Sequence, residues 1–225
     1  MRKSWWKILS VILLVNTFTV GFFIKVPIIG NLYQTIRNLF FHVPMWFGMM
    51  VMLITSVVYA IKYLNKPSLQ TDIYSTAYAK TGILFGILGM LTGSIWANYT
   101  WGEPWSNDPK QLSAAIALLV YAAYFVLRNS IPEMDKRAKV AAVYNIFSCA
   151  ILIPTIWIIP RMVESLHPGG QGVEGNPGLN GKDLDPGMRL VFWPAVLGWT
   201  LLGVWITTLK IRVEQLKEKQ LANGY

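Results

Sequence analysis

Six long apolar segments constrain what this chain can fold into. They cover approximately residues 4–26, 43–64, 81–97, 111–127, 140–159 and 190–209. Each is close to the length of about 20 residues that an α-helix needs to cross a bilayer core of about 30 Å. Because a spanning segment must satisfy its own backbone hydrogen bonds in lipid, the pattern predicts an all-α polytopic membrane protein with six transmembrane helices.

The composition agrees with one membrane domain over residues 1–225. Hydrophobic residues make up 54% of the chain and charged residues 14%, which is too apolar for an ordinary soluble domain. The net charge of +9 comes from basic residues beside the apolar segments, so the lipid bilayer is an expected partner and nucleic acid is not. The single cysteine, Cys149, excludes a disulfide within the chain, a CxxC redox motif and a cysteine metal site.

The basic residues are divided unevenly between the two sides of the predicted bundle. One side has the N-terminus, the second and fourth loops and the tail, with Arg2, Lys3, Lys7, Lys62, Lys66, Lys80, Arg128, Lys136, Arg137, Lys139, Lys210, Arg212, Lys217 and Lys219. The other side has only Lys25, Arg37, Lys110, Arg161, Lys182 and Arg189. Since short positively charged loops stay in the cytoplasm, we expect both termini in the cytoplasm and the odd-numbered loops at the external face.

Three local features modify this simple pattern. Apolar side chains at helical spacing predict an interfacial helix over residues 28–41, ahead of the second span. Pro154 lacks a backbone N–H and predicts a kink in the fifth span. The third span has four glycines that would let neighbouring helices approach closely: Gly82, Gly86, Gly89 and Gly93.

An aromatic and polar stretch lies between the third and fourth spans, and we expect it to form an external loop over residues 96–110. Its sequence is Trp96-Ala-Asn-Tyr-Thr-Trp101-Gly-Glu-Pro-Trp105-Ser-Asn-Asp108-Pro-Lys110. Gly102 allows a tight turn, and Asp108 followed by proline, with Gln111 reaching back, is typical of a helix start. The tryptophans fit two interpretations, an interfacial aromatic belt or a platform for a planar apolar ligand.

The only two histidines, His42 and His167, are expected on the same external side as the tryptophan-rich stretch. Imidazole binds iron well, and each ring could supply one axial nitrogen to haem iron. In the alternative interpretation, His42 is a polar residue at a helix start and His167 is an ordinary loop residue. The residues alone leave both interpretations open.

Motifs for catalysis and ion binding are weak in this sequence. It has no HExxH pair, no GxxxxGK phosphate loop and no Ser-His-Asp order, so the sequence favours a binding or transfer protein over an enzyme. The Gly169-Gly170-x-Gly172 run is expected to give a flexible loop. Four acidic residues of the loop after the fifth span lack the spacing of metal ligands and are expected to be solvated: Glu164, Glu174, Asp183 and Asp185.

The tryptophan-rich stretch resembles the WWD signature of the haem-handling proteins of cytochrome c maturation. The matching elements are Trp96-Ala-Asn, Trp101-Gly-x-x-Trp105 and Asp108-Pro-Lys. The pattern W-G-x-x-W-x-W-D has a tryptophan where this chain has Asn107. Within that superfamily of CcmC, CcmF and CcsA types, His42-Val-Pro44 and Ser165-Leu166-His167 resemble the two external histidine motifs of the heme exporter protein C (CcmC) type, so the resemblance covers the whole chain.

This resemblance implies a haem-transfer protein at the external face of a bacterial cytoplasmic (inner) membrane. It implies haem b with His42 and His167 as axial ligands of the iron, in a site formed by Trp96, Trp101, Trp105 and Asp108. It also implies delivery of haem to a CcmE-type haem chaperone, together with ABC transporter subunits and a small membrane partner. Two alternatives are a CcsA-like component of a cytochrome c haem lyase and a non-haem permease subunit.

Particular roles can be expected for the charged residues of such a site. Asp108 cannot pair with the haem propionates, so we expect it to cap the fourth span or to hold the loop. Carboxylates bind cationic donors, and four basic residues on the external side are candidate propionate ligands: Arg37, Lys110, Arg161 and Arg189.

Overall fold

The computed structural model describes residues 4–28, 32–167 and 184–223 as a bundle of helices. Its elements are α1 (Trp5–Phe23), a 3-10 helix (Tyr33–Asn38), α2 (Leu39–Asn65), α3 (Leu69–Trp101), α4 (Pro109–Asn129), α5 (Met134–Ile153), a π-helical turn (Pro154–Ile158), α6 (Ile159–Met162) and α7 (Pro186–Ala222). No strand occurs among these residues. Six of the helices are long and apolar enough to cross a membrane, which confirms the predicted fold class.

The centre of the bundle is the antiparallel pair of α2 and α3, with α7 packed against both of them. The glycines of α3 permit this close approach, as predicted. A Cβ atom at Gly82 would lie 2.6 Å from the Leu53 side chain, and one at Gly86 would lie 2.8 Å from Met49. Small residues therefore allow the two backbones to come together where lipid provides no hydrophobic driving force.

The third helix is longer than the predicted span of residues 81–97. It begins at Leu69, after Ser68 accepts a hydrogen bond from the Thr71 N–H as its N-cap. It continues to Trp101, because no proline interrupts the chain before Gly102, whose φ of +89° ends the helix. The expectation of a loop over residues 96–110 is therefore wrong for residues 96–101, and the non-helical part is limited to residues 102–108.

The start of the second helix also differs from the expectation. Residues 33–38 form a 3-10 helix that runs directly into α2 at Leu39. Residues 33–41 of the separate interfacial helix expected over 28–41 therefore join the span, and residues 29–31 lie outside the described residues. His42 and Pro44 consequently lie inside α2. Pro44 lies beyond the first turn of α2, where a proline cannot donate the usual backbone hydrogen bond to the residue four positions earlier.

The fifth helix changes its hydrogen-bonding pattern at the predicted position. α5 gives way at Pro154 to a π-helical turn, and the Thr155 hydroxyl donates to the Ile151 carbonyl at 2.9 Å. Such a turn changes the hydrogen-bonding pattern of a long helix at a position where an ordinary backbone hydrogen bond is lost, here at a proline. The short helix α6 follows and leads to residues 163–167, which include His167.

A buried polar cluster joins four helices away from the histidines. The Asn145 side chain of α5 donates to Ser56 Oγ of α2 at 2.7 Å and to Ser75 Oγ of α3 at 3.1 Å. The Tyr121 hydroxyl of α4 donates to Asn145 Oδ1 at 3.3 Å. All four side chains are buried. Hydrogen bonds between membrane helices of this kind fix which helix faces meet.

Candidate functional site

His42 projects from the first part of α2 against α3. Its Nδ1 atom lies 2.9 Å from the Gly89 carbonyl oxygen. The ring packs edge-on against Trp96, with centroids 5.9 Å apart, and against Trp46, with centroids 6.1 Å apart. The structure thus brings together two of the predicted site residues, His42 and Trp96. It adds Trp46, which the sequence analysis missed although it lies one helical turn after His42 on the same face.

His167 contacts the end of the same helix α3. Its ring lies edge-on to Trp101 with centroids 4.7 Å apart. Its Nδ1 atom lies 2.8 Å from Asp108 Oδ1. An ionised carboxylate can only accept hydrogen bonds, so Nδ1 has the proton and donates it. The Nε2 atom of a neutral His167 ring is then left with its lone pair for a metal.

Asp108 holds the whole segment that presents His167. One carboxylate oxygen accepts from the Lys110 N–H at 2.9 Å and so caps α4, as expected. The other accepts from the Leu166 N–H at 2.7 Å and from the Ser165 hydroxyl at 2.9 Å. The residue is only 4% exposed. Asp108 is therefore placed to orient His167, a role that the sequence analysis did not assign to it.

The Asp108 carboxylate remains charged in this environment. Burial by itself raises the pKa of the group, but the hydrogen bond and charge of His167 and the hydrogen bonds of Leu166 and Ser165 outweigh that effect. Together they hold the pKa of Asp108 well below its ordinary value. The ionised carboxylate can only accept the hydrogen bond from His167 Nδ1.

Trp105 lies apart from this arrangement. It is 38% exposed, and its indole N–H donates to the Asn107 side chain at 2.8 Å. In the described part of the chain, no ring contact joins Trp105 to either histidine. Asn107 itself has a φ of +55°, a left-handed conformation that asparagine tolerates better than bulky residues do. The departure from the WWD pattern at this position therefore suits the backbone of the turn.

The two histidine groups are connected through α3. Gly89 and Trp96 contact His42, whereas Trp101, five residues further along α3, contacts His167. We call the end of the bundle that contains these two rings the histidine end.

The donor set at this end suits a metal held in a macrocycle better than a bare ion. Among the described residues, no group of three or more His, Cys, Asp or Glu side chains could hold a metal ion. Two imidazoles among tryptophan rings instead match the axial ligands and apolar walls of a haem site.

The acidic residues expected to be solvated are only partly described. Asp185 caps α7 by accepting from the Gly187 N–H at 2.8 Å, and Glu164 is exposed. Glu174, Asp183 and the Gly169–Gly172 run lie outside the described residues.

Two of the candidate propionate ligands are used to hold the backbone. Arg37 donates to the Gly21 carbonyl oxygen at 2.9 Å and so ties the 3-10 helix to α1. Arg189 donates through Nε to the Leu184 carbonyl oxygen at 3.0 Å. The Arg161 side chain lies outside the described atoms. The choice of propionate ligand remains a prediction.

The chain matches a family model described as heme exporter protein C over residues 2–223. The heme exporter protein C of Bradyrhizobium diazoefficiens is 27% identical over 186 residues, which cover 82% of this chain and 68% of that protein. The heme exporter protein C of Haemophilus influenzae is 24% identical over 192 residues, covering 82% and 73%. The cytochrome c biogenesis protein CcsA of Pelargonium hortorum is 39% identical over 80 residues, covering 35% and 25%.

Proposed function

This chain belongs to the heme exporter protein C family, and on that premise we propose that it binds haem b at its histidine end and hands it on. Membership of the family gives the chain a role in cytochrome c maturation. The acceptor in this proposal is a membrane-anchored haem chaperone of the CcmE type. ABC transporter subunits and a small membrane protein complete the proposed assembly.

The haem is the cargo in this proposal, and its iron supplies the coordination sites that the two imidazoles fill. His42 and His167 each offer Nε2, since Nδ1 of each ring is already in a hydrogen bond. Trp46, Trp96 and Trp101 provide apolar surface beside those rings and exclude water from the ligands. Trp105, which is exposed and apart from the histidines, is placed to meet either an edge of the cargo or an incoming partner.

The observation that carries the proposal is the placement of the histidines. The chain has only two, and both rest against α3 with one ring nitrogen held by a defined hydrogen-bond acceptor. Metal-binding histidines are characteristically held in this way through the nitrogen that does not bind the metal. The bias of basic residues supports an external position for this end, with both termini in the cytoplasm of a bacterial cell.

The visible absorption spectrum of the detergent-purified protein tests the proposal. We expect a Soret band with low-spin bis-histidine features in the wild type, and loss or alteration of that band in His42→Ala and in His167→Ala. Free imidazole should restore the low-spin spectrum of His42→Gly, because it replaces the missing ligand without changing the rest of the site. A wild-type protein that takes up no haem, even from an excess, would refute the proposal.

The partial match to CcsA supports one other candidate function, a component of a cytochrome c haem lyase. Such a component would help to join haem covalently to an apocytochrome rather than pass it to a chaperone. Expression of this chain as the sole maturation protein, together with an apocytochrome c, separates the two functions. Covalent cytochrome c would favour the lyase. Haem-loaded chaperone in cells that also express the chaperone, without covalent cytochrome c when this chain acts alone, would favour transfer.

A further inference from the structure

The His42 ring rests in a socket on the surface of α3. Three residues form this socket, and we call Gly89, Thr92 and Gly93 the His42 socket. Nδ1 of His42 lies 2.9 Å from the Gly89 carbonyl oxygen and 3.3 Å from the Thr92 hydroxyl oxygen. None of the three belongs to the tryptophan signature or to the histidine motifs of the sequence.

The chemistry of the socket determines which nitrogen of His42 has the proton. A carbonyl oxygen has no hydrogen to donate, so the short contact requires Nδ1–H as the donor. The Thr92 hydroxyl donates its own hydrogen to the Leu88 carbonyl oxygen at 2.8 Å and can therefore only accept from His42. Both partners favour the same tautomer, in which Nε2 has a lone pair and no hydrogen.

The space for the ring comes from the absence of a side chain at residue 93. A Cβ atom on Gly93 would lie 2.5 Å from Cε1 of His42 and 3.0 Å from Nδ1. Those atoms belong to a rigid aromatic ring that is already packed between Trp46 and Trp96. An added methyl group would therefore move the ring away from the Gly89 carbonyl oxygen.

A further contact holds the socket relative to the chain before α2. The Asn38 side chain donates to the Thr92 carbonyl oxygen at 2.9 Å. Thr35, in the same 3-10 helix, accepts from the Trp96 indole N–H at 3.2 Å. His42, the socket and Trp96 are thus joined through the residues that immediately precede α2.

We propose that Gly93, Thr92 and Asn38 are positioning residues that hold His42 as the Nδ1–H tautomer and direct its Nε2 atom to haem iron. The part of this inference that concerns iron rests on the proposed function, whereas the tautomer does not. The socket also makes the two axial ligands unequal. Nδ1–H of His42 donates to a neutral carbonyl group, whereas Nδ1–H of His167 donates to a carboxylate. The carboxylate makes the His167 ring the more electron-rich ligand.

The tautomer can be measured in the haem-free protein. Because the chain has only two histidines, selective ¹⁵N-histidine labelling gives two rings, which the His167→Ala variant assigns. We expect the Nδ1–H tautomer for His42 in the wild type. In Gly93→Ala we expect the His42 signals to change to the other tautomer or to a mixture, with those of His167 unchanged. A wild-type His42 ring protonated at Nε2 would overturn the proposal without any variant.

Haem titration gives the second readout, with Gly86→Ala as the matched control. Gly86 is a glycine of the same helix, and a Cβ there would meet the flexible ends of Leu118 and Met49 instead of a ligand ring. We expect Gly93→Ala to bind haem about 10- to 100-fold more weakly, the usual effect of disturbing a residue that orients a metal ligand. Gly86→Ala should stay close to wild type.

The possible results distinguish the positioning role of the His42 socket from the proposed haem-binding function. Equal haem affinity in Gly93→Ala and wild type, with an unchanged low-spin spectrum, would overturn the positioning role. Failure of the wild type to bind haem would overturn the proposed function, and the ¹⁵N measurement would still decide the tautomer. If Gly93→Ala and Gly86→Ala lowered the haem affinity equally, the effect would come from helix packing, and this result would refute the role of the His42 socket.

Discussion

Two aspartates of this chain begin an Asp-Pro helix start and have different tasks. Asp108 and Asp185 each precede a proline, and each caps the helix that follows. Among the described residues, the exposed Asp185 accepts from the start of α7, whereas Asp108 is buried and also accepts from Ser165, Leu166 and His167. The two aspartates differ in their tasks because the segment of residues 165–167 packs against the cap of α4.

Replacement of Asp108 by asparagine should weaken haem binding more than it weakens the fold. Asparagine caps helices about as well as aspartate, so α4 should be retained. Its neutral amide no longer requires a proton on His167 Nδ1, and we expect haem affinity to fall by about 10- to 100-fold. Haem titration of Asp108→Asn, followed by the absorption spectrum of the residual complex, measures this effect.

Asp185→Asn is the matched control for that substitution. It alters another Asp-Pro helix cap and should leave haem affinity unchanged. Acid titration adds a second check, because the Asp108 pKa lies below the ordinary value of 3.8. The stabilisation from the charged carboxylate is therefore complete above about pH 4 and is lost as the pH falls through the lowered pKa. A difference in thermal stability between wild type and Asp108→Asn that grew as the pH fell below 4 would contradict this assignment.

At the scale of elements, α3 organises the bundle. It supplies the glycines that let α2 approach, the socket for His42 and the tryptophan that contacts His167. Because it is one uninterrupted helix from Leu69 to Trp101, the distance between its contacts with the two rings is set by helix geometry. Away from the histidine end, the Asn145 cluster fixes α3 relative to α2, α4 and α5.

Removal of the Asn145 side chain should destabilise the bundle without directly changing the histidine contacts. Asn145→Ala leaves the Tyr121 hydroxyl without its Asn145 acceptor and removes a donor from the Ser56 and Ser75 hydroxyls. We expect a loss of about 1 to 3 kcal/mol in the free energy of unfolding, as for buried polar groups deprived of a partner. Denaturation in detergent, followed by circular dichroism, measures it.

Ser148→Ala provides the comparison within the same helix. The Ser148 hydroxyl is buried and donates to the Tyr144 carbonyl oxygen of its own helix, so its removal breaks a bond within α5 and none between helices. We expect a clearly smaller loss of stability. If the two variants were equally destabilised, the cluster would not be what holds the four helices together.

The molecule as a whole has two ends that differ in structure and in charge. The histidine end holds the aromatic turn of residues 102–108 and the segment of residues 163–167. The opposite end has the bidentate pair of Arg128 with Asp72, at 2.8 and 2.6 Å, and Lys62 and Lys66 at the end of α2. An excess of short basic loops at one end predicts that this end faces the cytoplasm.

Cysteine labelling of intact cells tests this orientation. In a Cys149→Ser background, Glu164→Cys places an exposed thiol at the histidine end, and Glu133→Cys places one at the opposite end. We expect a membrane-impermeant maleimide to label Glu164→Cys in intact cells and Glu133→Cys only after permeabilisation. The reverse result would contradict this orientation and place the histidine end in the cytoplasm.

Properties that depend on neighbouring residues can be predicted from the amino-acid sequence of this protein. Apolar length set the number of spans, small residues set which face of α3 packs closely, and Gly102, Asp108 and Pro154 marked where helices end, begin or change. These are local properties, because the hydrogen bonds of a helix and the cost of exposing its backbone to lipid involve residues a few positions apart. The helix ends were less accurate, since polar helical turns such as residues 69–80 extend beyond the apolar window.

The way in which the candidate ligands are held depends on contacts between distant parts of the chain. Asp108 meets His167 across 59 positions of the chain, and His42 meets Gly89 across 47. The identity of an aspartate or a glycine does not reveal such a partner, because the contact exists only once α2, α3, α4 and the segment after α6 have packed. The sequence could therefore name His42, His167 and Asp108 as candidate site residues, but the hydrogen-bond partner of each ring depends on that packing.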